Sequence, residues 1–415
     1  MRSFRINGGS EARARTQDLL RAEGFGFEPE PFSSLVYRLK EEPFPLGRSL
    51  AAFFGLIYIQ DRSSMLPPIL LAPDENGAVL DMCASPGSKT GFLSQLVGPA
   101  GFVLGNEPNP TRLGTLRANL SVQNLLQAAT CRFQAQELPI PEGRIFNILL
   151  DPPCSGWGTV EKNPQVMKLW SEEKTKTLVA LQRALLKHAA KMLAPGGSLI
   201  YSTCTTHKAE NAEQAAWALA ELPLVHEALP VLPGFEPALT SDNGMISIDP
   251  GFGAGQGFFV AKFKKPASKT FTAPFENVPE NSFETDPIAR TALDGDCVDS
   301  NLLPPGVMVE FRGNAMFVPQ SQLDLLPVKL NAQGCFVGKV AGGAVLPLPR
   351  MRALMRAAAD APALNVEEVE PIKKLLSGQS LEVNFPGKSW IGLYYKGLPL
   401  ALLRVKGSRA IWTER

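Results

Sequence analysis

Between Val79 and Ser202 short apolar runs of strand length alternate with stretches of helical period, and this alternation excludes most folds before any single residue is weighed. Strand Val79–Met82 precedes a turn and a helix over Ser88–Val97, and strand Phe102–Asn106 ends at Glu107. Helix Pro110–Leu120 carries Leu113, Leu116 and Leu120 on one face, and strands Ala129–Phe133 and Ile145–Leu150 follow. A long helix over Glu172–Leu193 sets Leu178, Leu181, Leu185, Ala189 and Met192 at helical spacing. Pro195-Gly196-Gly197 stops it, and strand Ser198–Ser202 runs into Thr203-Cys204-Thr205. Strands separated by helices need crossover connections, so the expected class is α/β with a doubly wound, mostly parallel sheet. Strands near Met245–Ile248 and Phe258–Phe263 fit an antiparallel edge to it.

Ligands of such sheets bind outside the carboxyl ends of the strands. The stretch Asn147–Gly158, NILLDPPCSGWG, places a buried strand against a rigid loop at that edge. Its two prolines fix φ and cannot donate to a ladder, so Asp151 and Cys154 are held where the strand ends. A carboxylate beside a thiol at a sheet edge suits chemistry on a small planar group. Trp157 either stacks on a ring or packs beneath the loop.

The turn Cys83-Ala84-Ser85-Pro86-Gly87-Ser88-Lys89 joins the first strand to the first helix. A phosphate-binding P-loop wants glycine immediately before Lys-Thr, where Ser88 stands, and a dinucleotide fingerprint wants three spaced glycines where there is one. What remains is a nucleoside-binding turn without a pyrophosphate cradle, as S-adenosylmethionine requires. Glu107, 20 residues after Gly87 at the end of the next strand, is placed to accept both ribose hydroxyls. The competing reading is an ordinary Pro-Gly turn and a solvated acid. Lys89 either depresses a nearby thiol pKa or caps its helix.

At 415 residues two or three domains are expected. Residues 1–60 read as a lead-in subdomain, with a charged helix over Glu11–Glu23 and short strands near Phe25–Phe27 and Leu35–Leu39. Residues 61–265 hold the alternating unit, 266–305 turn to Pro, Ser, Thr, Asn and acids like a linker, and 306–415 resume as a small α+β unit. Strands are expected there over Met308–Arg312, Ala315–Val318, Cys335–Val340, Trp390–Tyr395 and Leu400–Val405, with helical pieces near Pro349–Ala359 and Val366–Leu376. The net charge of +1 argues against holding nucleic acid by bulk charge alone. Its distribution is uneven: residues 301–415 carry 14 Lys and Arg against 8 Asp and Glu, and residues 1–300 carry 27 against 32. The six cysteines stand 23 to 93 residues apart, with no zinc-like spacing, which favours reduced thiols and a cytoplasmic protein. Cys131, Cys297 and Cys335 read as core residues. No metal is expected, and no run approaches the ~20 apolar residues of a membrane span.

The set CASPGSKT, NILLDPPCSGWG and YSTCT, in that order and on those elements, resembles the NOL/NOP/Sun family of RNA cytosine-5 methyltransferases, above all its bacterial branch that acts on small-subunit ribosomal RNA. The likeness covers about residues 20–265, and the basic tail is more loosely similar to the family's PUA-like RNA-binding domain. It implies a class I, Rossmann-like S-adenosylmethionine-dependent methyltransferase fold. It implies cofactor contacts from Cys83, Ala84, Ser85, Pro86, Gly87, Ser88, Lys89, Glu107, Gln134 and Asp151. Gln134 stands where the family usually has an acid near the adenine.

Carbon 5 of cytosine is a poor nucleophile. A thiolate adding to carbon 6 makes carbon 5 enamine-like, and a carboxyl group holding N3 and the exocyclic amine, as Asp151 is placed to do, eases that addition. A base must then take the carbon 5 proton before the thiol leaves. Cys154 and Cys204 both qualify as nucleophile, and the residues alone do not separate them. The resemblance implies Cys204 as nucleophile and Cys154 in release of product. It also implies structured RNA as partner, ribosomal or transfer, with a monomer expected. The base must be splayed out of its helix, and Trp390, Tyr394, Tyr395 and Trp412 are candidates to hold flanking RNA, with strand-face packing as the alternative. Two other classes compete. An amino-methyltransferase has an aromatic residue where Cys154 stands, and a silent RNA-binding assembly factor would have no use for both thiols.

Overall fold

The alternating segment folds as expected, because its strands are apolar on both faces and are covered by helices on each side. In the computed structural model, which describes residues 2–161, 163–235, 239–240, 244–252, 255–267, 287–327 and 330–414, four sheets are built. Strands β1 (Ser3–Ile6), β2 (Gly26–Glu30), β3 (Ser33–Glu41) and β4 (Ile57–Ile59) form an amino-terminal sheet in the order β2-β3-β1-β4. The central sheet contains β5 (Ala78–Asp81), β6 (Phe102–Asn106), β7 (Ala128–Cys131), β8 (Ile145–Leu150), β9 (Leu193–Thr203), β10 (Val225–Glu227), β11 (Leu239–Thr240), β12 (Ile246–Ile248) and β13 (Phe258–Lys264). Its order is β11-β12-β13-β9-β8-β5-β6-β7, with β10 also paired to β13. Strands β5 to β9 are mutually parallel and β13 runs antiparallel to β9.

The chain builds outward through β5, β6 and β7, then returns to place β8 on the other side of β5. The crevice of a doubly wound sheet opens at this reversal. Register brings the strand ends level there: Asp81 lies opposite both Gly105 and Leu149, and Leu150 lies opposite Tyr201. Strand β9 is longer than its apolar run. It begins at Leu193, directly after the helix Glu172–Met192, and absorbs Pro195-Gly196-Gly197 through a bulge, with Gly196 at φ +82° and its N–H on the Lys265 carbonyl.

The carboxyl-terminal residues build two further sheets. One contains β14 (Pro287–Ile288), β15 (Gly306–Phe311), β16 (Asn314–Pro319), β17 (Cys335–Ala341) and β18 (Ala344–Pro347) in sequence order. The other contains β19 (Ala363–Val366), β20 (Leu381–Glu382), β21 (Trp390–Tyr395), β22 (Leu398–Lys406) and β23 (Arg409–Ile411) in the order β19-β21-β22-β23-β20. Residues 268–286 of the linker-like stretch lie outside the described residues. Residues 287–305 do not behave as a linker, since β14 pairs with β15 and Leu293, Cys297 and Val298 are buried in the same core as Phe317 and Val337. Where a helix is expected near Pro349–Ala359 there are two single turns, Arg352–Leu354 and Ala358–Asp360. That segment bonds outward instead: the Ala353 N–H donates to the Asn124 side-chain oxygen and the Pro349 carbonyl accepts the Leu402 N–H. Val366 closes a strand, and the expected helix starts only at Glu370.

The two ends of the chain share one apolar core. Phe4, Ile6, Leu19 and Leu20 pack in the same cluster as Ile391, Leu393 and Leu403. Arg352, buried and with its pKa pushed down to about 9 by that burial, donates to the carbonyls of Phe54, Gly55, Val122 and Gln123. One guanidinium thus ties the carboxyl-terminal unit to both of the others. Of the tail aromatics, Tyr394 and Tyr395 are buried and the Tyr394 hydroxyl donates to the Arg356 carbonyl, while Trp390 and Trp412 are half-buried, Trp412 lying against Phe53 and Phe54. Among the described residues no helix is long and apolar enough to cross a membrane.

Candidate active site

The parallel strands deliver their terminal residues to one edge. Asn106, buried at the end of β6, donates to the carbonyls of Met82 and Phe133 and accepts from the Phe133 N–H, so one amide stitches the ends of three strands. The turn after β5 then passes close over β6: a Cβ on Gly105 would lie 3.0 Å from that of Ala84. Gly87 sits at φ +103°, donates to the Ala84 carbonyl at 2.7 Å and opens the helix Ser88–Val97. Left-handed backbone at this position favours glycine. Directly after the next strand stands Glu107, only 2% exposed, with Oε1 accepting the Asn109 N–H at 2.9 Å and Oε2 3.4 Å from Arg112. Gln134 stands exposed just past β7, its carbonyl accepting the Glu137 N–H. A glycine-opened turn beside a fixed, buried carboxylate is a donor and acceptor set that fits a nucleoside-bearing cofactor.

Past β8 the chain reaches Asp151. Lys89 Nζ donates to its Oδ2 at 2.6 Å and the Ser202 hydroxyl donates to its Oδ1 at 2.9 Å. Burial alone would lower the Lys89 pKa, and the Asp151 charge more than offsets it, so the ammonium is retained. The loop then folds back across β9, and Cys154 Sγ comes within 3.2 Å of Cys204 Sγ. Gly158 fixes this fold-back: its N–H donates to the Cys204 carbonyl at 3.0 Å, and its own carbonyl accepts the Gly257 N–H at 2.9 Å. The loop is thereby inserted as one extra rung between the ends of β9 and β13.

The two thiols are inequivalent. The hydrogen bond to Cys204, then burial and the Asp151 charge, hold the Cys154 thiol well above its ordinary range. The hydrogen bond from Cys154 lowers the Cys204 pKa; burial and Asp151 work against this, and the Lys89 ammonium adds to it. Within the pair Cys204 is accordingly the stronger acid and Cys154 the weaker, which favours Cys154 as the donor toward Cys204. The other cysteines lack such surroundings: burial pushes Cys131 and Cys335 up to about 12, Cys297 up to about 11, and Cys83 well above its usual value. Among the described residues no group of three His, Cys, Asp or Glu side chains could hold a metal ion. Trp157 is half-buried and meets the exposed Trp170 edge to face, ring centroids 5.6 Å apart.

This electrostatic arrangement has a measurable consequence. Lys89→Met removes the ammonium that lowers the Cys204 pKa and leaves the Asp151 charge opposing it, so the pH profile of Cys204 alkylation should move to higher pH, with severalfold slower alkylation at neutral pH. A profile identical to the parent's would show that Lys89 does not act on the thiol.

The structure thus gathers Cys154, Cys204, Asp151 and Lys89 at one point and sets Glu107 and the Cys83–Lys89 turn on neighbouring strand ends. Sequence reasoning did not single out Ser155, Ser202, Glu210 or Asn211. The Glu210 carboxylate accepts the Ser155 N–H at 2.9 Å and the Gln182 amide at 3.0 Å. The available signal was a Glu-Asn pair six and seven residues after Cys204, on the same edge.

Comparison with known proteins agrees with this geometry. The family model described as 16S rRNA methyltransferase RsmB/F matches residues 68–264. The protein named ribosomal RNA small subunit methyltransferase F from Cronobacter sakazakii is 38% identical over 254 residues, 58% of this chain and 51% of its own length. Its namesake from Escherichia coli (strain SMS-3-5) is 33% identical over 356 residues, 82% of this chain and 71% of its own length. The chain spans about half the length of the first of these relatives and more of the second. Among solved structures, a methyltransferase homolog from Pyrococcus horikoshii is 31% identical with a TM-score of 0.54, covering 64% of this chain and 86% of that one. The NSun6 structure from the same organism, at 20% identity and a TM-score of 0.57, shares the fold over 64% of this chain and 91% of its own. The central unit therefore has the Rossmann-like fold of S-adenosylmethionine-dependent methyltransferases. With 33% identity sustained across 71% of a full-length relative, and the family model laid over the sheet that carries both thiols, this chain belongs to the 16S rRNA methyltransferase RsmB/F family.

Proposed function

We propose that the protein is an S-adenosylmethionine-dependent RNA (cytosine-C5)-methyltransferase acting on small-subunit ribosomal RNA. The observation that carries this reading is the 3.2 Å approach of Cys154 and Cys204 beside the Lys89–Asp151 pair. A methyltransferase acting on nitrogen or oxygen needs no thiol, whereas cytosine carbon 5 needs one to become nucleophilic.

In this reading Cys204, the more acidic of the two thiols, adds as its thiolate to carbon 6 of a cytosine turned out of its stack, and the carbon 5–carbon 6 double-bond electrons move to carbon 5. Asp151, anchored by Lys89 and Ser202, keeps lone pairs free to accept from the exocyclic amine and holds the ring. The Cys83–Lys89 turn and Glu107 would hold the cofactor, with Gln134 at its adenine end. S-adenosylmethionine supplies an electrophilic methyl group on sulfonium sulfur. Once carbon 5 carries the methyl group, its proton leaves to a base, the carbon 6–sulfur bond breaks, and the electron pair returns to sulfur. Cys154, held protonated beside Cys204, is placed to assist that departure. The cytoplasm, a monomeric state and RNA contacts from the PUA-like carboxyl-terminal unit belong to the same proposal.

The test is incubation of the purified chain with labelled cofactor and small ribosomal subunits or deproteinised RNA from cells lacking the gene, followed by mapping of 5-methylcytosine. Label at a single cytosine class in the small-subunit RNA is expected. Label confined to transfer RNA would move the substrate, and absence of label from all RNA would defeat the proposal.

A further inference from the structure

The single turn Lys208–Glu210, with Asn211 after it, lies behind both cysteine loops. Glu210 is fully buried, and its carboxylate is held by three donors: Oε2 accepts the Ser155 N–H at 2.9 Å and Gln182 Nε2 at 3.0 Å, while Oε1 accepts the Ser155 hydroxyl. Gln182 also donates to the Pro153 carbonyl at 3.0 Å, so the residues on either side of Cys154 are held from one place. Asn211 does the same for the other loop. Its Nδ2 donates to the Thr205 carbonyl at 2.9 Å and its Oδ1 accepts the Thr203 hydroxyl, the two residues that flank Cys204. The loops are joined to each other by the Ser155 and Thr205 hydroxyls at 2.8 Å, and the turn is tied to β9 by the Tyr201 hydroxyl on the Glu210 carbonyl at 2.6 Å.

We propose that Glu210 and Asn211 are a positioning pair that sets the separation of the two thiols, one residue gripping the Cys154 loop and its neighbour gripping the Cys204 loop. The proposal rests on the reading that these thiols perform the chemistry. A sulfur–sulfur hydrogen bond is lost when the atoms drift by about an ångström, and prolines and glycines in the Asp151–Gly158 loop supply no side-chain anchor of their own. A carboxylate taken out of water is costly unless donors replace its hydration, and here all the donors but the Gln182 amide come from the loop that it positions. Adjacent residues on one short turn cannot move independently, so the two grips are mechanically one.

The test uses the full chain without RNA or cofactor, and reads the alkylation rate of Cys154 and Cys204 separately by peptide mass spectrometry across pH, beside thermal melting. In the parent, Cys204 should react roughly tenfold faster than Cys154 near pH 8. In Glu210→Ala and in Asn211→Ala that ratio should fall to within about threefold, as each loop relaxes and the shared hydrogen bond is lost. Glu210→Gln, which still accepts the Ser155 N–H but turns an amide NH₂ toward the Ser155 hydroxyl, should be intermediate. With RNA and cofactor present these variants should lose kcat with little change in KM. A parent-like alkylation ratio in the folded alanine variants overturns the proposal. Should those variants not fold, Glu210→Gln, which keeps the acceptor of the Ser155 N–H, and Ser155→Ala, which keeps that N–H and removes only the hydroxyl, decide it by the same ratio. Equal and slow alkylation of both thiols in the parent itself would instead overturn the functional reading on which this rests.

Discussion

Cys204→Ser should form no covalent adduct with RNA and transfer no methyl group, while Cys154→Ser should accumulate the adduct. Serine in place of the thiolate removes the nucleophile outright, because an alkoxide is not available near neutral pH and the Lys89 ammonium stabilises a thiolate far more readily. The expected loss for Cys204→Ser is about 10³-fold or more, which corresponds to roughly 4 kcal/mol of transition-state stabilisation. In Cys154→Ser the first addition and the methyl transfer remain possible, but the group that sits 3.2 Å from the departing sulfur no longer carries a thiol. Turnover should stop after one cycle with RNA still attached. A denaturing gel of labelled RNA separates the two cases, and a persistent adduct in the Cys204 variant, with none in the Cys154 variant, would exchange their roles.

Gly158→Ala should be the most damaging single-methyl change in the molecule's edge loops. A Cβ there would stand 2.0 Å from the Gly257 carbonyl oxygen and 2.8 Å from that of Cys204, both backbone atoms that cannot swing away. The rung joining β9 to β13 must open, with loss of two backbone hydrogen bonds and displacement of Cys154 relative to Cys204. Overpacking of this kind costs roughly 1–3 kcal/mol of stability. A displacement of about 1 Å at reacting groups costs on the order of 10²-fold in rate. Gly156→Ala is the informative control. Gly156 lies at φ +74° with its nearest neighbours 3.6 Å away, so alanine there meets backbone strain but no collision. Its expected cost is about 1 kcal/mol with thiol geometry largely kept. Thermal melts and single-turnover rates on both variants check the contrast, and a Gly158 variant indistinguishable from the parent would remove the rung from this account.

The catalytic unit was legible because it is written in short-range terms. Strand–helix alternation, apolar runs bounded by Pro-Gly and the motif order place Glu107, Asp151, Cys154 and Cys204 after the carboxyl ends of parallel strands, and a doubly wound sheet has only one edge where those ends meet. The amino-terminal sheet was only half legible. Strand β1 lies ahead of every element expected there, and its Arg5 is buried because Asn7, Gln95 and Gln123 take its guanidinium and Tyr58 and Phe92 flank it. Its partners lie up to 118 residues away, beyond the reach of any local pattern.

The sequence by itself determined the fold class, the strand-end placement of the site and the two candidate thiols. Only the tertiary structure decided which thiol is the more acidic, because that depends on Lys89, Asp151 and the neighbouring sulfur, and these groups and Cys204 come together from three separate segments. It also decided that the chain's two ends share a core and that Tyr394 and Tyr395 face inward, since burial is a property of the assembled surfaces and not of any residue's identity. The bracing of both cysteine loops by Glu210 and Asn211 belongs to the same class: a buried carboxylate is intelligible only once the donors that replace its water are in place.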